Sequence, residues 1–335
     1  MKNIKGVIFV GSFCFIAKQL HLLISPQLSQ FIGLPLFVLL IGFILNNFFD
    51  NQWLDPLRPG IKFCSSTLLK FAIILLGFKI TLGTISSMGI KALLLIIISI
   101  SMALALTHLL GKLMNVTPKL SALIGLGAAI CGNTAISACA PLIKANEEEI
   151  SYAIATNTLF GSIAVISYPI IAKLFHFSDV SFGYWAGVAI NDTSQVIAAS
   201  FNFSESAGNI ATTLKLMRNS FIGLAIIIAS IPFNSLSPHS NLPIYKRIKF
   251  PLFICIFFSV IILNSLGLMA FIPNSFLNSL LKATKFIILM ALFAFGTNTN
   301  FKSIKSLGIT PLVLGFMTSV TTSTLTLTFI YFFLT

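Results

Sequence analysis

Five consecutive polar residues, Asn191-Asp192-Thr193-Ser194-Gln195, interrupt the apolar run from Gly183 to Phe201. A run of that length is about what a helix needs to cross a bilayer, and Asp192 sits at its centre. An ionised carboxylate at that depth costs roughly 3 kcal/mol on insertion scales. The segment must therefore face protein or a water-filled cavity, where polar groups find partners and non-helical backbone is tolerated. The remainder of the chain has to hold it there.

Composition agrees with a membrane setting. The 335 residues are 56% hydrophobic and 9% charged, with mean hydropathy +0.99, whereas soluble domains carry about 25% charged residues. The reading is an all-α polytopic membrane protein, one transmembrane domain over 1–335. Apolar segments fall at 6–24, 33–49, 63–82, 92–110, 120–143, 150–172, 183–201, 208–231, 250–270, 281–298 and 309–333, which predicts about 11 transmembrane helices. The first resembles a signal peptide because Lys2 and Lys5 precede it. No small-residue cleavage site follows, so it is kept as a helix at the periphery. Cys14, Cys64, Cys131, Cys139 and Cys255 lie in or beside apolar runs without metal spacing and read as small buried hydrophobes.

The net charge of +13 follows from topology. Lys2, Lys5, Arg58, Lys62, Lys112, Lys119, Lys173, Lys246, Arg247, Lys249, Lys302 and Lys305 fall at the N-terminus and in even-numbered linkers, against Lys91, Lys144 and Lys282 in odd ones. Twelve against three is a positive-inside bias. It predicts a cytoplasmic-membrane protein with its N-terminus in the cytoplasm and its C-terminus outside, and it removes any need for a nucleic-acid partner.

Gly77 through Leu93 aligns without gaps on Gly296 through Leu312, with identities at Gly77/Gly296, Ile85/Ile304, Ser87/Ser306, Gly89/Gly308, Ile90/Ile309 and Leu93/Leu312. A second echo links Gly132-Asn133-Thr134 to Gly296-Thr297-Asn298. Either one implies copies of opposite orientation, as in secondary transporters. The two pair the tenth segment with different partners, the third or the fifth, and the residues alone leave that choice open.

Three sets of residues carry the expected chemistry. Gly125 to Ser137, with Gly125, Gly127 and Gly132 ahead of Asn133, Thr134 and Ser137, suits a discontinuous helix whose exposed amides attract an anion; close packing through small residues is the alternative. The cluster Asn191, Asp192, Thr193, Ser194 and Gln195 is the second, with Asp192 as a proton-coupling acid. Lys215, Arg218 and Asn219 are the third, with Lys215 and Arg218 three apart and so on one helix face: an anion site or partners for Asp192. Lys70 and Lys79 read as flanks of a permeation path or as snorkelling residues. Glu147-Glu148-Glu149 reads as a solvated helix start. No phosphate loop, HExxH or paired-carboxylate motif is present, so the chain reads as neither an enzyme nor a cofactor or metal protein.

GLGAAICGNTAISACAPLIKANEEEISYAIAT, FGYWAGVAINDTSQVIAAS and IATTLKLMRN, in this order and spacing, resemble the bacterial sulfate exporter family of membrane proteins. That family is grouped with the bile-acid, arsenite and auxin transporters. The resemblance covers most of the chain and implies two inverted five-helix repeats with broken crossing helices, 33–172 and 183–335. It implies a core built on the fifth segment with the tenth as its counterpart, Asn298 included. By position, Gly132, Asn133 and Thr134 match the family's small-polar break, Asp192, Thr193 and Ser194 its Asp-Thr-Ser motif, and Lys215 with Arg218 its basic pair. This chain has Asn133 where the family commonly has a second small residue, and Asn191 where it has a histidine.

The expected function is secondary transport of a small anion, sulfate or sulfonate-like, with the lipid bilayer and a homodimer as the other associations considered. Export has an energetic basis: a dianion leaving an inside-negative cell gains about 4.6 kcal/mol at 100 mV. The rivals are a cation- or proton-coupled importer of an organic acid and a cation/proton antiporter.

Overall fold

The computed structural model describes residues 2–23, 32–48, 52–233, 252–268, 273–298 and 308–333, and over these it is helical without a strand. The helices, in chain order, are α1 (Lys2–Leu22), α2 (Leu34–Phe48), α3 (Trp53–Lys79), α4 (Leu82–Leu113), α5 (Pro118–Ala129), α6 (Asn133–Cys139) and α7 (Glu147–Leu174). They continue with α8 (Asp179–Ala189), α9 (Thr193–Phe203), α10 (Glu205–Asn219), α11 (Ile222–Ser230), α12 (Leu252–Ser265), α13 (Asn274–Asn298) and α14 (Ile309–Phe333). Each of the eleven apolar segments carries helix. Six helices are long and apolar enough to cross a membrane, or seven if the pair Glu205–Asn219 and Ile222–Phe233, bent by 44°, is one span. Leucine, isoleucine and phenylalanine stay exposed on their outer faces, including Ile97, Ile98, Phe316 and Tyr331 beside them, as a surface solvated by lipid requires.

α3 is continuous but irregular. A π-helical turn, Cys64–Leu68, sits between its α-helical parts, the kind of local widening that redirects side chains at functional sites. α4 bends at Gly89, whose φ of 61° lies in the left-handed region. α13 packs along α2 and the π turn of α3, and α1 closes this side through Phe9 and Phe13 against Phe293. A second core joins α4, α5, α7, α8 and α14.

Two segments counted as crossings, the fifth and the seventh, instead fold back. Thr117 caps α5, and its hydroxyl donates to Glu149 at the start of α7 (2.7 Å). Lys119 donates to the carbonyl of Lys144, beyond α6 (2.7 Å). The entry and exit of the α5–α6 hairpin are therefore neighbours, both at the N-terminal end of α7. Glu149, read from sequence as solvated, is buried; it also completes a capping box with Asn146. At the other end of α7, Phe182 at the start of α8 lies on Phe203 at the end of α9, ring centroids 4.3 Å apart. Trp185 stacks on Tyr168 of α7 at 4.1 Å. The α8–α9 hairpin thus opens toward the C-terminal end of α7. That helix has 28 residues, about 42 Å at the standard rise, so the two hairpins enter the bundle from opposite ends.

The tenth segment, expected to be the second broken helix, is continuous from Asn274 to Asn298; the second break lies in the seventh. The Gly296–Leu312 copy of the proposed repeat falls partly outside the described residues, as do Lys246, Arg247, Lys249, Lys302 and Lys305.

Candidate functional site

The hairpin tips meet near the middle of α7. In the first, α5 ends at Ile130, the chain turns through Cys131 and Gly132, and α6 starts at Asn133. Gly132 has φ 68°, a conformation costly for any residue with a Cβ; a Cβ there would also sit 2.6 Å from Nδ2 of Asn157. In the second, α8 ends at Ile190 and α9 starts after Asp192, its N-cap.

Broken helices leave C-terminal carbonyls without intrahelical partners, and here both sets are buried. Lys215 and Arg218 of α10, each 0% exposed, reach between them. Lys215 Nζ donates to the carbonyls of Ile130 (2.7 Å), Ile190 (2.8 Å) and Asn191 (2.5 Å). Arg218 donates through Nε to Ala129 (2.5 Å), through Nη1 to Val188 and through Nη2 to Ala128. Each tip contributes three carbonyls. Two helix C-termini with about half a negative charge apiece therefore face two cations. This corrects the expected pairing with Asp192. Neither cation forms an ion pair with it, and the ion pairs among the described residues are Arg58–Asp55, Lys79–Glu205 and Lys285–Glu205. Lys79, the other lysine read as a flank of a permeation path, is paired with Glu205.

Asp192 faces the other way. Its Oδ1 accepts from the backbone N–H (2.8 Å) and the hydroxyl of Ser194, while Gln195 Oε1 accepts from the Asp192 N–H (3.4 Å), completing a capping box. Oδ2 lies by the opposite tip, 3.3 Å from where a Cβ of residue 132 would stand. α7 stitches the tips together. Asn157 donates to Asn133 (3.3 Å) and Asn133 to Thr158 (3.4 Å). Gln195 donates to the Thr158 carbonyl (3.1 Å) and to Ser162 (3.4 Å). Gly161 makes room for that last contact, because a Cβ at 161 would overlap the Gln195 amide.

A cavity of about 950 Å³ opens beside the tips. Asn133, Thr134 and Ser137 from α6, Asp192, Thr193 and Ser194 from the second tip, and Asn298 of α13 line it. Gly132, Asn191, Gln195, Lys215 and Arg218 do not: they build the tips from behind, and Asn191 faces a second, much smaller void beside Thr156 and Asn157. The cations on the cavity wall are Lys62 and Lys70 of α3, with Ser65 and Ser66 between them in sequence. Lys70 Nζ stands 5.9 Å from the Phe253 ring centroid, and Asn298 donates to Ser65 (2.9 Å). Asn219, next to Arg218, donates to Thr193 Oγ1 (3.2 Å). The sequence reading missed Asn157, Thr158 and Ser162. Their signal was present: amide and hydroxyl side chains about one turn apart within an apolar helix.

Of the five cysteines, Cys14, Cys64, Cys131 and Cys139 are buried as expected, and Cys255 is exposed.

Comparison with known proteins places this architecture in one family. The family model described as conserved hypothetical protein 698 matches residues 5–315. A UPF0324 membrane protein of Clostridium tetani is 36% identical over 327 residues, covering 94% of this chain and 92% of that one. One of Fusobacterium nucleatum is 34% identical, covering 85% and 86%, and one of Streptococcus agalactiae 33%, covering 90% of each. No solved structure matches. The chain belongs to the conserved hypothetical protein 698 family, a family of bacterial membrane proteins.

Proposed function

We propose that the protein is a secondary transporter of a small anionic solute, sulfate or an organic sulfonate or carboxylate, working as an exporter in the cytoplasmic membrane. The observation that carries this reading is the meeting of two oppositely inserted hairpins at a cavity lined by polar side chains and two lysines. Irregular backbone at membrane depth is tolerated where it borders such a cavity, and broken helices of opposite orientation are how secondary transporters build midplane sites.

In this reading the inverted copies are hairpin-plus-helix units. An offset of 60 residues (187 − 127) sets Gly127 on Gly187, Ala129 on Ala189, Ile130 on Ile190 and Ala138 on Ala198, and brings the break residue Gly132 onto Asp192. The eleven segments become nine crossings and two hairpins, and the N-terminus stays inside and the C-terminus outside. The anion meets Lys62 and Lys70, while Lys215 and Arg218 hold the tips in place. Asp192 carries the coupling proton, with Lys62 and Lys70 across the cavity, Cys131 on the facing tip and the Lys215 ammonium behind it. This role accords with the sulfate exporter resemblance.

The test is flux in proteoliposomes under imposed potential and pH gradients, with labelled sulfate, sulfonates and carboxylates. Outward movement of at least one anion, faster with an inside-negative potential, is expected. Absence of any anion flux from well-folded protein refutes the reading. Uptake that requires a cation gradient moves it to the importer alternative.

A further inference from the structure

The cavity is not uniformly fitted for an anion. Asp192 is the carboxylate on its wall, and with both Ser194 bonds on Oδ1 its Oδ2 is left beside the facing tip. Asn219 lines the same end. Its Nδ2 is engaged by Thr193, and its Oδ1 is buried without a partner, in a residue only 2% exposed. That oxygen is closed off from the cavity, so the charged acceptor at this end is Asp192. Lys62 and Lys70 stand on the α3 wall and form no ion pair with Asp192. The site therefore has an acceptor end and a cationic wall that do not neutralise each other.

We infer that the solute is zwitterionic: its ammonium or amine N–H groups bind Asp192, and its carboxylate or sulfonate binds Lys62 and Lys70. This rests on the transport reading above and resolves a difficulty in it. A simple anion would be repelled by Asp192, whereas an amino acid or aminosulfonate brings a cationic donor to it. A proton and the amino group then compete for one carboxylate, which is a direct physical basis for exchanging one against the other.

The test uses matched probes on the purified full-length protein: β-alanine against propionate, and taurine against ethanesulfonate, with binding measured by titration calorimetry. Within at least one pair the amino member should bind at least about tenfold tighter, the scale of a charge-assisted hydrogen bond. Asp192→Asn keeps a good helix cap and should shrink that ratio below about threefold, whereas Lys70→Gln should weaken both members alike. Equal affinities, tighter binding of the member without an amino group, or a ratio unchanged by Asp192→Asn overturns the inference. So does failure of all four probes to bind. In that last case flux of any of the labelled anions in the same preparation would leave the transport reading standing, and absence of them all would remove both.

Discussion

Replacing Arg218 by leucine separates a structural clamp from a ligand-binding cation. The substitution removes three donors and leaves the carbonyls of Ala128, Ala129 and Val188 buried between apolar neighbours. At about 1 kcal/mol for each unsatisfied group, the low end of the usual range, the loss is roughly 3 kcal/mol, a large part of a typical 5–15 kcal/mol folding stability. At about 2 °C per kcal/mol the melting temperature should fall by roughly 6 °C or more. Arg218→Lys keeps the charge but not the planar fork and should recover only part of the fall. Lys70→Gln is the contrast: Lys70 is exposed and its ammonium lies over the Phe253 ring, so melting should be unchanged while anion binding weakens. The assay is a detergent melting curve beside anion binding on the same purified variants. An Arg218→Leu protein that melts like the parent but has lost anion binding would refute the clamp and restore Arg218 to the binding site.

Three further outcomes are expected. Cysteines placed at Asn115 and Lys144 should react with a membrane-impermeant reagent from the same face, because Lys119 touches the Lys144 carbonyl; labelling from opposite faces would mean that the fifth segment crosses. Gly161→Ala should lower the melting temperature by driving a methyl into the Gln195 amide, and Gln195→Ala in the same chain should relieve part of that loss; strictly additive effects would remove the contact. Asp192→Asn should remain folded and lose the response to an imposed pH gradient. A stable variant with the parent's pH response would count against proton coupling at Asp192.

The parts of the site that hydrophobicity and polarity determine one residue at a time were legible. Asp192 in mid-run, the glycines before Asn133 and the two apolar-face cations at Lys215 and Arg218 each violate the cost of burial, and each marks the hairpin tips. What the cations do was not legible. Their partners are backbone carbonyls, present at every position of every sequence, so nothing in the side-chain pattern distinguishes a clamp on two helix C-termini from an anion site. Asn157, Thr158 and Ser162 were missed for a related reason: a few polar side chains in a long apolar helix are ambiguous until the tips that they touch are in place.

The folding-back of two segments was hidden by an accident of charge. If α5–α6 and α8–α9 return to the faces they left, the linkers whose sides change are the one with Lys144 and the one with Lys173. One lysine moves in and one moves out, and the count stays at twelve against three. Positive-inside statistics read only the sum over linkers, so they are blind to a paired exchange of this kind. Segment length gives no help either, since a hairpin of two half-helices and its turn contains about as many apolar residues as one full crossing. What separates the two is a long-range contact between entry and exit. Here that contact is made by Thr117 with Glu149, Lys119 with the Lys144 carbonyl, and Phe182 with Phe203. The first two of these place the ends of the α5–α6 hairpin at the start of α7, and the third places those of α8–α9 at its far end. The opposed insertion on which the transport reading depends therefore follows from the length of α7 and these three contacts.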